Sequence, residues 1–316
     1  MQEQLQMRYL IVLTAILLSC VTYAQDLEPR VLSEAPTGMN VVLGSYAYST
    51  GNVLLDSSLP LEDAETKIHS MVFAYARSFK MWGLPTKFDA IIPYAFGNYS
   101  GILEDVEAST DRNGLADPSF RISTTFLGAE AKPPWEFAKR KKNPFRMGAV
   151  LRVRVPLGQY EQERLINLGT NRFGLKLGLA ASYTFWDKLI FELHANSWFF
   201  TKNKKYFGDN TLAQDPLLSF QTHITYLFGP RFWTALSLGR SALGETSLNG
   251  EERNDLQNNS RAGLTFSYRV HPQHSLKFAT STGVTTRYGA DFTSFVVAYQ
   301  FLWFDKPKQK QADKSN

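Results

Sequence analysis

The sequence predicts an all-β fold, an antiparallel transmembrane β-barrel of about twelve strands with short periplasmic turns and long extracellular loops. Three observations predict it. Side-chain polarity alternates with period two over segments longer than ordinary soluble strands. The connections between those segments alternate between short and long, as in outer-membrane barrels. Beyond the N-terminus, no stretch approaches the ~18 apolar residues of a transmembrane helix. Composition agrees: of 316 residues 44% are hydrophobic, 14% aromatic and 20% charged, and there is one cysteine. Such a chain is neither disordered nor collagen-like, and it lacks the thiols of a disulfide scaffold or a Cys-ligated metal domain.

In chain order, Arg8 precedes an apolar run of about ten residues, Tyr9 to Leu18, and Thr22-Tyr23-Ala24 follows before Gln25. Residues 1–24 read as a Sec signal peptide. A second reading takes Leu17-Leu18-Ser19-Cys20 as a lipoprotein cleavage box and leaves Cys20 acylated. Removing residues 1–24 takes away Arg8 and Glu3, so the net charge stays at +5, and no cysteine remains. An exported chain without disulfides needs either a large soluble core or a closed hydrogen-bonded sheet. Residues 25–39 form a leading segment, loose in the periplasm or entering the lumen from below as a plug through Asp26-Leu27-Glu28-Pro29-Arg30.

The barrel is expected over 40–304, with strands near 40–48, 68–79, 86–97, 118–128, 145–156, 171–185, 188–201, 216–228, 231–240, 260–270, 275–283 and 292–303. The clearest is the sixth, where Phe173, Leu175, Leu177, Leu179, Ala181, Tyr183 and Phe185 alternate with small or charged residues. The same pattern recurs at Met147 to Val155 and at Ala262 to Val270. Connections such as Phe185 to Lys188 and Phe228 to Arg231 are tight, whereas 49–67, 98–117, 157–170, 202–215, 241–259 and 284–291 are long and polar. One connection departs from this rule. Residues 129–144, with Pro133-Pro134-Trp135 and a basic run to Lys142, read either as a short amphipathic helix at the inner interface or as a solvated basic loop. The last strand, ending Phe301, Trp303 and Phe304, carries the aromatic terminus read by barrel-assembly machinery. A tail, 305–316, adds four lysines against two aspartates.

Strand parity makes the lumen basic. Lys87, Arg121, Arg146, Arg152, Arg154, Arg172, Lys176, Lys188, Arg261, Arg269 and Lys277 point inward against Asp89 and Glu192. Arg121, Arg152, Arg154, Arg172 and Lys176 gather toward the outer half of one wall. Guanidinium groups lining a narrow wet passage favour carboxylates and phosphates. The competing reading pairs these bases with acids of infolded loops, among them Glu62, Asp63, Glu104, Asp105, Glu107 and Asp111, which would tie the barrel shut. His194 and His223 face the lumen on adjacent strands near Glu192, as a polar lining or an acid–base pair. A lipid-cleaving barrel enzyme would place serine and histidine on the outer face, where no histidine is expected. No cofactor or metal site is predicted, and the charge, spent on lumen and tail, is not of a nucleic-acid-binding kind.

Several of these segments together resemble a family of outer-membrane transporters associated with the meta-cleavage pathway of phenol degradation. The matching stretches include Leu27-Glu28-Pro29-Arg30, Ser33 to Asn40, Gly114-Leu115-Ala116-Asp117-Pro118, Val155-Pro156-Leu157-Gly158-Gln159-Tyr160, Arg164 to Arg172, Gln214-Asp215-Pro216, Asn258 to Arg261 and Ser281-Thr282-Gly283. The run from Arg164 to Arg172 is the most specific, and the basic tail is a departure. The resemblance implies a barrel of the Gram-negative outer membrane that passes small, often aromatic, molecules. It supplies no established binding residues. The expected function is passive uptake of small organic solutes, aromatic or anionic, with a lipid-acting barrel enzyme or a structural or adhesive barrel as alternatives. The selectivity residues expected are Arg121, Arg152, Arg154, Arg172, Lys176, Arg261, Glu192, His194 and His223. The partners expected are outer-membrane lipids and lipopolysaccharide, the solutes, and the assembly machinery at the C-terminal strand. Asn167, Asn171, Asp215 and Asn259, in loops or at strand tops, are expected to form a hydrogen-bonded mouth.

Overall fold

A computed structural model describes residues 27–54, 61–103, 106–164 and 166–306. The expectations for the signal peptide, for Cys20 and for all but the start of the tail fall outside these residues.

Alternating segments become hydrogen-bonded strands because period two puts every apolar side chain on one face. The strands in order are β1 (Met39–Leu54), β2 (Leu61–Met81), β3 (Leu84–Leu103), β4 (Val106–Leu115), β5 (Ser119–Leu127) and β6 (Phe145–Arg154). They continue as β7 (Gly174–Phe185), β8 (Leu189–Phe200), β9 (Asn203–Tyr206), β10 (Asn210–Gln214), β11 (Leu217–Leu227) and β12 (Phe232–Leu243). The last are β13 (Thr246–Leu248), β14 (Glu251–Glu252), β15 (Gln257–His271), β16 (His274–Thr285) and β17 (Gly289–Phe304).

β1 pairs antiparallel with both β2 and β17, from Asn40↔Arg77 and Met39↔Phe304 upward, so the sheet has no open seam there. β4 and β5 are two parts of one stave on β3, through Tyr94↔Leu115 and Ile91↔Ser119. The break at 116–118 falls where Pro118 has no N–H to give, and the Ala116 N–H turns to the Pro93 carbonyl. Counted this way, twelve antiparallel staves close a barrel, and each expected segment lies on one of them. β9, β10, β13 and β14 form a separate small sheet among the long connections.

Two expected loops are largely strand. β1 and β2 run into 49–67, and β3 and β4 pair from Tyr94↔Leu115 up to Leu103↔Val106 inside 98–117. Apolar alternation does not mark these parts, because a ladder that rises past the apolar belt meets water on both faces. The connection 128–144 is mostly irregular, with one turn of helix α1 (Pro134–Phe137) started by Pro134. Trp135 is exposed there, and the Arg140 guanidinium lies 3.8 Å from the Phe137 ring centroid.

The molecule is inverted relative to a soluble domain. Among the described residues, 24 buried side chains are polar or charged and eight are hydrophobic. Phe73, Leu179, Leu193, Phe220, Leu236 and Phe295 stand exposed on the outer face. Aromatic pairs collect near the short turns, including Tyr183–Phe185, Tyr226–Phe228 and Phe301–Trp303, as in the girdles of membrane barrels.

Candidate functional site: a basic lumen crossed by the leading segment

Residues 27–38 cross the lumen as a strap. Glu28 reaches the wall, where its carboxylate binds Arg121 of β5 and accepts from Arg152 of β6 at 2.7 Å. The Arg30 N–H donates to Glu192 of β8 at 2.6 Å, and its guanidinium lies 4.9 Å from the Trp233 ring of β12. Lys87 of β3 donates to the carbonyls of Val31 and Ser33. Glu34 takes a bidentate pair from Arg140 at 3.0 and 3.1 Å and a third bond from Arg146 of β6 at 3.3 Å. At its end, Thr37 and Gly38 donate to the carbonyls of Lys132 and Ser78.

The strap fits because the wall is cut away for it. A Cβ on inward-facing Gly148 would meet Leu32 Cδ2 at 2.5 Å and the Thr124 carbonyl oxygen at 2.7 Å. One on Gly263 would meet Leu27 Cδ1 at 2.7 Å. Enclosure by the wall would raise the Glu28 carboxyl; the positive charges of Arg121, Arg152 and Lys176 outweigh it and hold the group well below its ordinary value near 4.5.

The selectivity residues expected from sequence divide into four groups. Arg121 and Arg152 are occupied by Glu28, with Asp89 accepting from Arg121 at 2.8 Å. Arg154, Arg172 and Lys176 gather nearer the long loops around two inward rings. Arg154 and Lys176 lie 4.8 and 5.7 Å from the Trp198 centroid, and Arg172 lies 4.5 Å from that of Phe200. Trp198 and Phe200 stack at 6.1 Å with an interplanar angle of 5°. Arg261, across the lumen on β15, donates to the Phe292 carbonyl. Glu192, His194 and His223 are buried in the lower lumen, with the imidazole centroids 4.7 Å apart and His223 bonded to Ser237 and Gln221.

Four expectations need correction. Among the described residues the wall bases pair with Glu28 and Glu34 of the strap and with Asp89 of β3, and Asp111 does not join them but is exposed and accepts from Asn98; the side chains of Glu62, Asp63, Glu104, Asp105 and Glu107 lie outside the described residues. Arg172 stands in the approach to β7 rather than on the strand, and its Nη2 donates to Gln214 at 2.6 Å. Lys188 lies exposed in the β7–β8 turn. The outer face does carry histidine: His69 bonds Tyr46 and His274 bonds Tyr299, each at 2.6 Å. These partners are phenols, not serines, as suits polar tips in an aromatic girdle.

Sequence reasoning missed the inward aromatics Trp198, Phe200 and Trp233. Their parity was the available signal, since they occupy the same face as Glu192 and Ser237. It also missed the latch at the mouth. Asp117, in the β4–β5 break, accepts from the Gly158 N–H at 3.0 Å and from Thr170 N and Oγ1 at 2.8 and 2.6 Å. A Cβ on Gly158 would come within 2.8 Å of the Gly169 Cα, so the loop 155–173 folds against itself here. Asn167 bonds the N–H and the carbonyl of Glu161, Asn171 donates to Asn203, and Asn259 binds Tyr288 and Arg287. Asp215 takes part through its backbone N–H to the Glu245 carbonyl.

A closed antiparallel barrel with an apolar coat and a polar, charged interior is a transmembrane β-barrel of the outer-membrane type. Within that class the chain belongs to the family described as "Putative MetA-pathway of phenol degradation", which matches residues 45–301. In structure it is similar to an outer-membrane channel from Pseudomonas putida F1, at 17% identity and a TM-score of 0.73 over 88% of this chain and 100% of that one. It is also similar to the transport unit of the autotransporter AIDA-I from Escherichia coli, at 8% identity and a TM-score of 0.51 over 88% and 93%. At these identities the likeness is one of fold. No protein of curated function matches the sequence.

Proposed function

We propose that the protein is a passive channel of the Gram-negative outer membrane for small organic solutes, with a preference for carboxylates that carry an aromatic or other apolar body. The observation that carries this reading is the group of Arg154, Arg172 and Lys176 around the stacked rings of Trp198 and Phe200 on the loop side of the strap. Cations beside ring faces offer one molecule both a charge partner and a flat apolar surface. The pathway association of the family and its likeness to an outer-membrane channel support the same reading. The aromatic end of β17 supports recognition by the assembly machinery, and the apolar coat supports contact with lipid and lipopolysaccharide.

Planar-bilayer recordings test the proposal. A salt gradient should give an anion-selective reversal potential, and aromatic carboxylates should swell protein-containing liposomes faster than their amides do. A cation-selective potential overturns the anion preference, and the absence of both conductance and swelling overturns the channel. The lipid-enzyme alternative predicts phospholipase activity; the tyrosine partners of the outer histidines argue against it.

A further inference from the structure

At the turn end of the lumen, between the strap and the wall, lies a cavity of about 260 Å³. One side is apolar, made by Leu32 of the strap, Pro144, Ile190 of β8 and Leu227 of β11. The other side carries the guanidinium groups of Arg30, Arg140 and Arg146. Arg140 gives Nε and Nη2 to Glu34 and Nη1 to the Phe137 carbonyl. Arg146 gives Nη1 to Glu34 and Nη2 to Thr184, but its Nε has no acceptor although the residue is only 8% exposed. Arg30 bonds Glu192 through its backbone, its guanidinium faces Trp233, and its buried Nε has no acceptor either.

The nearby acids do not fill these gaps. Glu34 already serves two guanidiniums, Glu192 accepts from a backbone N–H, and Asp187 sits with Lys142 at 3.8 Å at the exposed rim. Buried N–H groups on charged side chains ordinarily find acceptors. Two guanidinium groups with such an unfilled donor line one cavity, opposite an aliphatic wall, and mark a place for an anion with an apolar body. A free inorganic anion would use the guanidiniums and leave the aliphatic half without a partner.

We propose that this cavity is an exit-side binding site for a small organic carboxylate. The carboxylate accepts from Arg30 and Arg146, and the apolar body packs on Leu32, Ile190 and Leu227. The site rests on the channel reading above and deepens it: a solute that clears the strap meets a second basic and apolar station before it leaves.

The test is isothermal titration of the full-length barrel in detergent with benzoate, benzamide and inorganic phosphate. Benzoate should bind saturably, with benzamide and phosphate each about tenfold weaker or worse, the scale of one charge-assisted hydrogen bond or of the lost apolar contact. Arg146→Met should weaken benzoate about tenfold. Leu227→Trp, which fills the cavity without touching a charge, should do the same and carries the test should Arg146→Met fail to fold. Equal binding of benzamide, stronger binding of phosphate, or benzoate binding unchanged by either substitution would overturn the site. Its failure is separable from that of the channel: anion-selective conductance without benzoate binding removes the site alone, and benzoate binding to a barrel with no conductance removes the channel alone.

Discussion

A carboxylate held between two guanidiniums is hard to protonate, and Glu28 is such a group. Its folded-state value lies below its ordinary value near 4.5. The contact with Arg121 and Arg152 therefore contributes in full above that ordinary value and is lost only as pH falls through the lower, folded-state one. Strap anchoring should be constant from neutral pH down to pH 5 and loosen below about 4.5. In bilayer recordings, conductance should be flat over the first range and rise in the second. A transition centred above pH 5 would show that a group other than Glu28 controls the strap. Glu28→Gln tests the same contact at neutral pH, since it keeps the shape and removes the charge. Arg121 retains Asp89 at 2.8 Å, so the wall should hold while anion permeability relative to cation rises severalfold. An unchanged reversal potential would mean that Glu28 does not set the lumen charge.

At the scale of elements, the latch at Asp117 joins a break in one stave to the loop that covers its top. Asp117→Ala removes three hydrogen bonds to a charged acceptor, from Gly158 and Thr170. The local cost should be about 3 kcal/mol, and faster proteolysis within 155–173 and noisier single-channel current should report it. Asn171→Ala, which releases the loop from Asn203 alone, should produce a smaller effect in the same direction. The elements themselves were legible where lipid imposes a pattern: Leu175 to Phe185 alternates because one face meets hydrocarbon. Where the same ladder leaves the apolar belt, as in β4, that pressure vanishes and the sequence looks like a loop. The inward bases were legible by parity, but their partners were not. Glu28 and Glu34 lie in an aperiodic segment, and nothing local says that it threads the lumen. The trace it leaves is indirect, in small inward residues such as Gly148 and Gly263 where Leu32 and Leu27 press on the wall.

For the molecule as a whole, closure takes the place of a hydrophobic core. The buried interior is polar and the chain after residue 24 has no cysteine, so cohesion rests on a ladder with no free edge. In hydrocarbon an unpaired backbone group costs several kcal/mol. Cooperativity should therefore depend on the β1–β17 seam far more than on the ion pairs beside it. Asp305 binds Arg77 at 2.7 Å and Asn40 at 2.9 Å near that seam, with both members of the ion pair more than 40% exposed. Exposed pairs contribute about 0–1 kcal/mol, so Asp305→Ala should fold and keep the heat-dependent mobility shift of an intact barrel in SDS gels. Val297 stands in mid-strand, opposite Tyr46 on one side and Phe278 on the other. Val297→Pro deletes a backbone donor from a strand paired on both sides and forces the local backbone out of register. This variant should lose the mobility shift and accumulate unfolded, even though it removes no charge and little apolar surface. If Asp305→Ala abolished the shift while Val297→Pro retained it, the terminal ion pairs, and not the closed ladder, would be what holds the barrel together.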